Sequence, residues 1–410
     1  MKSARIIINQ CSEGGIDHGN YVTKGMAEVL AAYNCALIAD MFGDAPCSQA
    51  ALIDENGSPV YLTPKMDKQE EIYTQAMQYL DDAIADLQKE DLIDPEAQDL
   101  LYQGDAEKWL KLAYGLKARY TMHLLKRSAN KDADMEKVLE YVNNSFESAE
   151  EQAAFDVYDA NNINPLYGFF VARAGLGASE SMRSKLAEYN DPRLSRAFIT
   201  KQGTSGKEQA PGTADNAVYA PNGTPEQGTS KYGTSLFMYS ISAPTLLLSY
   251  HELKFLEAEA LCRLERDAKS ALKDAVVAGL LNAENSFTIS RKELGKTLIN
   301  AASSITEAEA ESYFDNTIEA KYTAEPLKTT MTQKYFALWG ASGEATESYN
   351  DVRRMKGLGE NFIELKNPNS FPLRCPYGNS DTTTNAEVKA AYGNGQYVYS
   401  ENVWWAGGSR

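Results

Sequence analysis

The chain has 410 residues, a net charge of −17 and 43 % hydrophobic residues, which is enough apolar material for one large domain or two ordinary ones. Such an acidic chain lacks the excess of Lys and Arg that binding to nucleic-acid phosphates or to an anionic membrane surface requires. Its five cysteines show no CxxC spacing, which argues against a zinc site or a thioredoxin motif. No run of about 20 apolar residues predicts a membrane span.

The first part of the chain, residues 21–157, is predicted to form pairs of helices. A helix is predicted over 21–42, after a loop at 11–20, because apolar residues recur there every three or four positions. Gly25 leaves room on this helix for a close neighbour, and Gly43 ends it. Further helices are predicted at 67–87, 105–127 and 134–146. Pairs of this length are similar in size to tetratricopeptide repeats.

The middle of the chain, residues 158–243, breaks this helical pattern and is predicted to be a loop-rich insert. Gly, Thr, Ser, Pro and Asn dominate 203–232, and 161–165 is a cluster of turn residues. A long irregular segment inside a compact chain is usually either functional or disordered. Aromatic residues recur through the insert, whereas disordered linkers are poor in them. We therefore predict an ordered insert that faces a ligand.

The second helical part, residues 244–356, is organised around a helix predicted over 246–264. Ser249 and Glu252 have the spacing of a capping box, in which each side chain accepts a hydrogen bond from the other residue's backbone amide. Later helices are predicted at 267–285, 306–322, 326–339 and 344–356. Residues 357–410 look like a loop-rich tail that wraps the helical body, and the whole chain, 1–410, is expected to form a single domain.

The sequence contains no recognisable catalytic motif. His251 lacks the second histidine of a zinc-protease helix, and His123 lies among apolar helix residues, where packing is expected. The fragment at 175–179 has glycines but neither the preceding strand nor the lysine of a phosphate loop. No spacing selects a pair of carboxylates for glycoside hydrolysis. We therefore expect a protein that is not an enzyme and needs no cofactor, and no pattern assigns a metal site.

Several short stretches, in the same order along nearly the whole chain, resemble the SusD/RagB-like family of outer-membrane nutrient-binding lipoproteins. They are ADMFGDAP at 39–46, PK at 64–65 before EIY at 71–73, GD at 104–105 before KW at 108–109, NDPRL at 190–194, ELKFLEAEA at 252–260, QKY at 333–335, DVRR at 351–354, FPLRCPY at 371–377 and WW at 404–405. Each is short, but their order and spread make the resemblance specific.

The resemblance implies a mostly α-helical fold, in which tetratricopeptide-like helix pairs carry a variable, loop-rich half that binds ligand. It also implies a lipid anchor in the outer membrane, an extracellular position, and a TonB-dependent SusC-like transporter as partner. Family members carry a lipid-attachment signal and a further segment before the helix that starts here at Tyr21, so we expect the anchor segment to be absent from this chain. The matched motifs, including 42–44, Trp109 and 191–193, are expected to hold helix ends and loops in place.

These observations lead to the hypothesis of a non-catalytic, cell-surface glycan-binding protein. Sugars present flat C–H faces that stack on aromatic rings, and their hydroxyls need polar partners. The candidate ligand contacts, from the insert and the N-terminal loop, are Tyr167, Phe169, Tyr232, Tyr239, His18 and Asn20. Two alternatives stay open. A peptide-binding member of the same family would have a pocket lined by carboxylates, and a helical-repeat scaffold for protein partners would have an extended concave groove.

Overall fold

The computed structural model describes residues 1–173, 176–202, 208–213, 216–223 and 231–409. The chain divides into two compact units. The first unit comprises Met1–Glu147, Asn350–Asn361 and Ser370–Arg410, and the second comprises Ser148–Tyr349 and Phe362–Asn369.

The described part of the chain is mostly α-helical, which confirms the predicted fold class. Its helices are α1 Lys2–Cys11, α2 Tyr21–Phe42, α3 Gln69–Asp86, α4 Ala106–His123, α5 Lys131–Asn143, α6 Pro165–Arg173, α7 Glu180–Glu188, α8 Tyr250–Arg263, α9 Lys269–Leu294, α10 Glu307–Tyr313, α11 Glu319–Ala324, α12 Pro326–Ala337, α13 Ala345–Leu358, α14 Asn379–Thr384 and α15 Ala386–Tyr392. Its short strands are β1 Ala153–Phe155, β2 Phe198–Gln202, β3 Glu208–Pro211, β4 Thr234–Ser235 and β5 Thr245–Leu248.

In the first unit, helices that are neighbours in sequence pack as pairs, α2 with α3 and α4 with α5. Gly25 of α2 lies so close to the end of α3 that a Cβ atom there would come within 2.7 Å of the Leu87 Cγ. Asp105 begins α4, where its carboxylate accepts hydrogen bonds from the amides of Glu107 and Lys108, at 3.1 Å each. The predicted helix pairs and the close packing at Gly25 are therefore confirmed.

Helix α2 is long enough to cross a membrane and has the mean hydropathy of a membrane span. It contains no unbroken run of about 20 apolar residues, which is why the sequence does not predict a span. However, 61 % of its most apolar window is buried inside the protein, and the helix packs against α1 and α3. Val29, Cys35 and Ala36 are fully buried on it. The apolar composition of α2 is thus explained by its position in the core of the first unit.

Asp40, a buried carboxylate on α2, joins several segments of the first unit. It accepts hydrogen bonds from the Tyr73 hydroxyl of α3, from the Asn350 side-chain amide at 3.2 Å and from the indole nitrogen of Trp405 at 3.0 Å. Trp405 is fully buried, and its ring stacks on His123 with centroids 5.8 Å apart. His123 is therefore a packed residue, as predicted.

In the second unit, the helix predicted over 246–264 starts later than the sequence pattern indicates. Residues 245–248 form β5, which pairs antiparallel with β1, and α8 follows. Ser249 caps α8, because its hydroxyl accepts a hydrogen bond from the Glu252 amide at 3.0 Å. The amide of Ser249, however, donates to the Glu344 carboxylate at 2.9 Å, so Glu344 takes the place that the capping-box prediction gave to Glu252.

The insert is more regular than its sequence pattern indicates. It contains α6 and α7, and strand β2 lies between β3 and β4 in a three-stranded antiparallel sheet. Part of the irregular stretch predicted at 203–232, namely 203–207, 214–215 and 224–230, lies outside the described residues. Helix α9 also runs to Leu294, beyond the predicted end at 285, because buried residues such as Phe287 and Ser290 continue its packed face.

A buried ion pair holds the loop after α7 in the second unit. The Asp191 carboxylate accepts hydrogen bonds from Arg193 Nε at 2.8 Å, from Arg193 Nη2 at 2.6 Å and from the Arg193 amide at 2.9 Å. The remaining guanidinium nitrogen, Nη1, donates to the Phe336 carbonyl at the end of α12, at 2.8 Å. This motif therefore has the structural role predicted for it.

Candidate functional site

Helix α6 of the second unit carries two of the predicted ligand contacts, and Asn164 fixes where it starts. The Asn164 side chain is buried, and its amide nitrogen donates to the Ala243 carbonyl at 2.8 Å. Its side-chain oxygen accepts a hydrogen bond from the Leu166 amide at 2.9 Å, and Pro165 occupies the first helical position, which suits proline. The start of the helix is thus fastened to the loop before β5.

Tyr167 and Tyr239 lie near each other on one surface, which we call the tyrosine patch together with Gln209 and Glu293. The Tyr167 hydroxyl donates to the Glu293 carboxylate at 3.2 Å, and the Gln209 side-chain amide donates to the Tyr239 hydroxyl at 3.0 Å. The buried Phe170 ring packs edge-on against the ring of Tyr239, with centroids 5.2 Å apart. Residues from α6, α9, β3 and the turn at 236–239 therefore meet here.

The hydroxyls of the tyrosine patch stay protonated at neutral pH. Burial raises the pKa of Tyr239, and burial and the negative charge of Glu293 raise the pKa of Tyr167. Protonated hydroxyls both donate and accept hydrogen bonds, while the Glu293 carboxylate accepts them. The patch thus combines two half-buried tyrosine rings with polar groups that are able to form hydrogen bonds.

Phe169 points away from the tyrosine patch, because residues two positions apart on a helix lie on roughly opposite sides. Phe169 is 50 % exposed, and Val171, two residues further along the helix, is 61 % exposed. Single exposed apolar residues are common on protein surfaces. A ring half open to solvent nevertheless offers a face for stacking, and it lies on the same short helix as Tyr167.

The other predicted contacts are less open or lie elsewhere. Tyr232 is only 7 % exposed, and the Lys231 ammonium lies 5.2 Å from the centre of its ring. His18 and Asn20 belong to the first unit. The exposed His18 ring packs edge-on against Tyr21, whereas the side chain of buried Asn20 accepts a hydrogen bond from Ile93 and donates one to Asp17, both at 3.1 Å. Their roles in binding stay predictions.

A groove of the second unit, which we call the α9 groove, has a volume of about 440 Å³. Its floor is the outer face of α9, with Val277, Ala278 and Leu281. Its walls are mostly polar and come from α9, from α10 and from the segments before β1 and at the start of α8. These wall residues are Ala149, Gln152, Tyr250, His251, Lys273, Asp274, Asn282, Asn285, Glu307 and Glu311.

The family whose description is starch-binding and associating with the outer membrane matches residues 4–377. The chain belongs to this SusD-like family. Members of the family are binding proteins, which agrees with the expectation drawn from the sequence motifs. No protein of curated function matches the sequence.

Solved structures agree with the family assignment of this SusD-like chain. A SusD/RagB family protein from Bacteroides thetaiotaomicron is 67 % identical, with a TM-score of 0.94 over 100 % of this chain and 85 % of that one. A chitin-binding protein is 21 % identical, with a TM-score of 0.72 over 99 % and 85 % of the two chains. A SusD homolog from Bacteroides fragilis is 19 % identical, with a TM-score of 0.74 over 98 % and 87 %. The last two comparisons show a shared fold.

Sequence reasoning missed the polar partners in the SusD-like chain's tyrosine patch and all of the α9 groove. Gln209 and Glu293 are distant in sequence from Tyr167, and no local pattern connects them. A signal for the groove does exist, because Asp274, Ala278 and Asn285, which are small or polar, are spaced four and seven residues apart and so lie along one face of α9. That spacing indicates a face without a packed neighbour, but it does not identify a ligand.

Proposed function

We propose that this SusD-like protein captures a glycan at the extracellular face of the outer membrane and delivers it to a TonB-dependent SusC-like transporter, with a lipid anchor on the full-length protein. The observation that carries the proposal is the tyrosine patch, in which Tyr167 and Tyr239 lie beside Gln209 and Glu293. The half-exposed ring of Phe169 on the same helix adds a second stacking surface.

The chemistry of the patch suits a neutral, hydroxylated ligand. Stacking on a ring face removes apolar C–H surface from water, and Glu293 and Gln209 supply an acceptor and an amide that pair with sugar hydroxyls. The net charge of −17 disfavours an acidic polysaccharide. The family is described as starch-binding and one structural relative as chitin-binding, so these glycans are the first to test.

Isothermal titration calorimetry with oligosaccharides of starch and chitin tests this proposal. We expect Tyr167→Ala and Phe169→Ala each to weaken binding by about 5- to 30-fold, which corresponds to about 1–2 kcal/mol for an aromatic contact. Tyr399→Ala is the matched control, because Tyr399 is an exposed aromatic residue of the first unit. Unchanged affinity in both the Tyr167→Ala and the Phe169→Ala variants, or no binding to any glycan in a broad panel, refutes the proposal.

The transporter partnership has its own test. We expect the full-length protein to co-purify from outer membranes with the SusC-like transporter expressed beside it, and the Tyr167→Ala variant to co-purify equally well. Recovery of the protein without any transporter contradicts that part of the proposal and leaves the glycan measurement unaffected.

The α9 groove favours a peptide as the second candidate ligand. Three carboxylates, those of Asp274, Glu307 and Glu311, line it together with one ammonium group, that of Lys273, and a single tyrosine, Tyr250, so acidic groups are in excess. A cationic peptide matches this charge, whereas a glycan finds little ring surface there. Titration with a lysine-containing oligopeptide tests this candidate, and we expect Asp274→Asn combined with Glu311→Gln to weaken peptide binding but not glycan binding. Equal peptide affinity in the double variant excludes the groove as the peptide site.

A further inference from the structure

Two cysteines of the first unit bring their sulfur atoms into direct contact. Cys35 Sγ and Cys47 Sγ are 3.2 Å apart, and both residues are buried. A disulfide bond has a length of about 2.05 Å, so the two atoms need to move only about 1 Å to form one. Among the described residues, Cys11, Cys262 and Cys375 have no second cysteine sulfur in contact.

Hydrogen bonds fix the position of the loop that carries Cys47 and packs it against α2. The Asp67 carboxylate accepts hydrogen bonds from the amide of Cys47 at 2.9 Å and from the amide and hydroxyl of Ser48 at 2.6 and 2.7 Å. The backbones of Ala45 and Asp67 also exchange two hydrogen bonds of 3.1 Å. Cys35 itself sits within the buried face of α2. The two sulfurs are thus brought together by contacts that do not depend on a bond between them.

The environment distinguishes the two thiols chemically. The hydrogen bond from Cys35 lowers the pKa of Cys47, and the positive charge of Arg5 lowers it further, against the effect of burial. The same hydrogen bond, together with burial, raises the pKa of Cys35. In the folded first unit, Cys47 is therefore the thiol that ionises first.

We propose that Cys35 and Cys47 form a disulfide bond in the exported protein. Proteins that associate with the outer membrane have left the reducing cytosol, and disulfides persist in the compartment they enter. The oxidant is the disulfide of an exported thiol–disulfide oxidoreductase. One of the two cysteines, as its thiolate, attacks one sulfur of that disulfide and releases the other as a thiolate. The second cysteine, after losing its proton, then attacks the sulfur of the first and expels the second carrier thiolate, so the carrier gains the two electrons that the pair loses.

The exchange takes place before the first unit closes around the pair, because both sulfurs are buried afterwards. The bond links residues 12 positions apart and joins α2 to the loop that follows it. Such a link restricts the unfolded chain and thereby stabilises the folded first unit.

The test is alkylation of full-length protein purified from the outer-membrane fraction, unfolded without reductant. Lys24 and Lys65 bound one tryptic peptide, residues 25–65, which contains both cysteines and no internal Lys or Arg. We expect this peptide to be free of alkyl groups and lighter by two hydrogens, and to accept two alkyl groups only after reduction. Alkylation of the peptide before reduction, or a mass increase that matches a bound metal in the intact protein, overturns the proposal.

Thermal unfolding supplies a second measurement. We expect reduction to lower the Tm of the first unit by about 5–10 °C. Cys35→Ala should abolish this effect of reductant, whereas Cys262→Ala, which removes a cysteine of the second unit, should preserve it. An equal response to reductant in the Cys35→Ala variant refutes the bond.

Discussion

Asp191→Ala is expected to destabilise the second unit more than an ordinary point mutation does. It leaves the Arg193 guanidinium, which is only 2 % exposed, without its counter-ion and without the acceptor of two side-chain hydrogen bonds. Only the bond from Arg193 Nη1 to the Phe336 carbonyl would persist. Removing one partner of a buried ion pair costs about 3–5 kcal/mol, because the other charge stays buried and uncompensated. For a unit of this size, that loss lowers Tm by about 6–20 °C.

Tryptophan fluorescence can follow this effect. Trp339 is the only tryptophan of the second unit, while Trp109, Trp404 and Trp405 belong to the first. The part of the thermal or urea unfolding transition to which Trp339 contributes should therefore move to a lower temperature or a lower urea concentration. Arg193→Met in the Asp191→Ala background should recover part of it, because the uncompensated charge is then gone. The reasoning fails if the free energy of unfolding of Asp191→Ala lies within about 1 kcal/mol of that of the parent protein. It also fails if the double variant is less stable than Asp191→Ala alone.

Three further predictions concern the first unit. Burial raises the pKa of Glu28 from 4.5 to about 7. Stability should therefore fall as the pH rises from 4.5 to about 7, because the carboxyl group ionises in the unfolded chain before it ionises in the folded protein. Glu28→Gln should remove about 1–2 kcal/mol of that fall in unfolding free energy, measured by urea unfolding at pH 5 and pH 8. Gly25→Ala should lower the free energy of unfolding by about 1–3 kcal/mol, because the new Cβ would lie 2.7 Å from the Leu87 Cγ. When Gly25→Ala and Leu87→Ala are combined in one chain, the two effects on the free energy of unfolding should not add. Trp405→Phe leaves Asp40 without the indole donor at 3.0 Å and should cost about 1–3 kcal/mol, whereas an unchanged Tm would show that Asp40 finds another partner.

The sequence predicts helices well where their end signals and their packed face agree. For α2, apolar spacing, Gly25 and Gly43 all point to the same helix, and its ends are where the pattern places them. At 246–248 the pattern misleads, because three consecutive leucines fit a buried helix or a buried strand equally well. The deciding contact is the pairing of β5 with β1, about ninety positions earlier in the chain. Local spacing carries no information about such a partner.

The candidate site, too, can be predicted from the sequence only in part. Tyr167 and Tyr239 stand out as aromatic residues in an insert that reads as irregular, so composition is enough to propose them. Gln209 and Glu293 join them only because β3 and the end of α9 reach the same surface. Residue type does not distinguish Tyr239 from Tyr232 either. The ring of Tyr232 is buried, whereas the hydroxyl of Tyr239 lies at the tyrosine patch. Exposure depends on the tertiary fold, and so the sequence proposes more rings than the surface presents.

The motifs that identify the family and the groups proposed to bind ligand therefore occupy different physical environments. Asp191, Arg193 and Trp405 are buried, and each makes hydrogen bonds that fix a loop or a chain end. Substituting one of them leaves an unpaired polar group inside the protein, which is costly. Tyr167 and Phe169 lie at the surface of a short helix whose start is fixed by Asn164, so their replacement changes little that the fold depends on. The proposed ligand contacts on α6 can thus change while the surrounding fold remains the same.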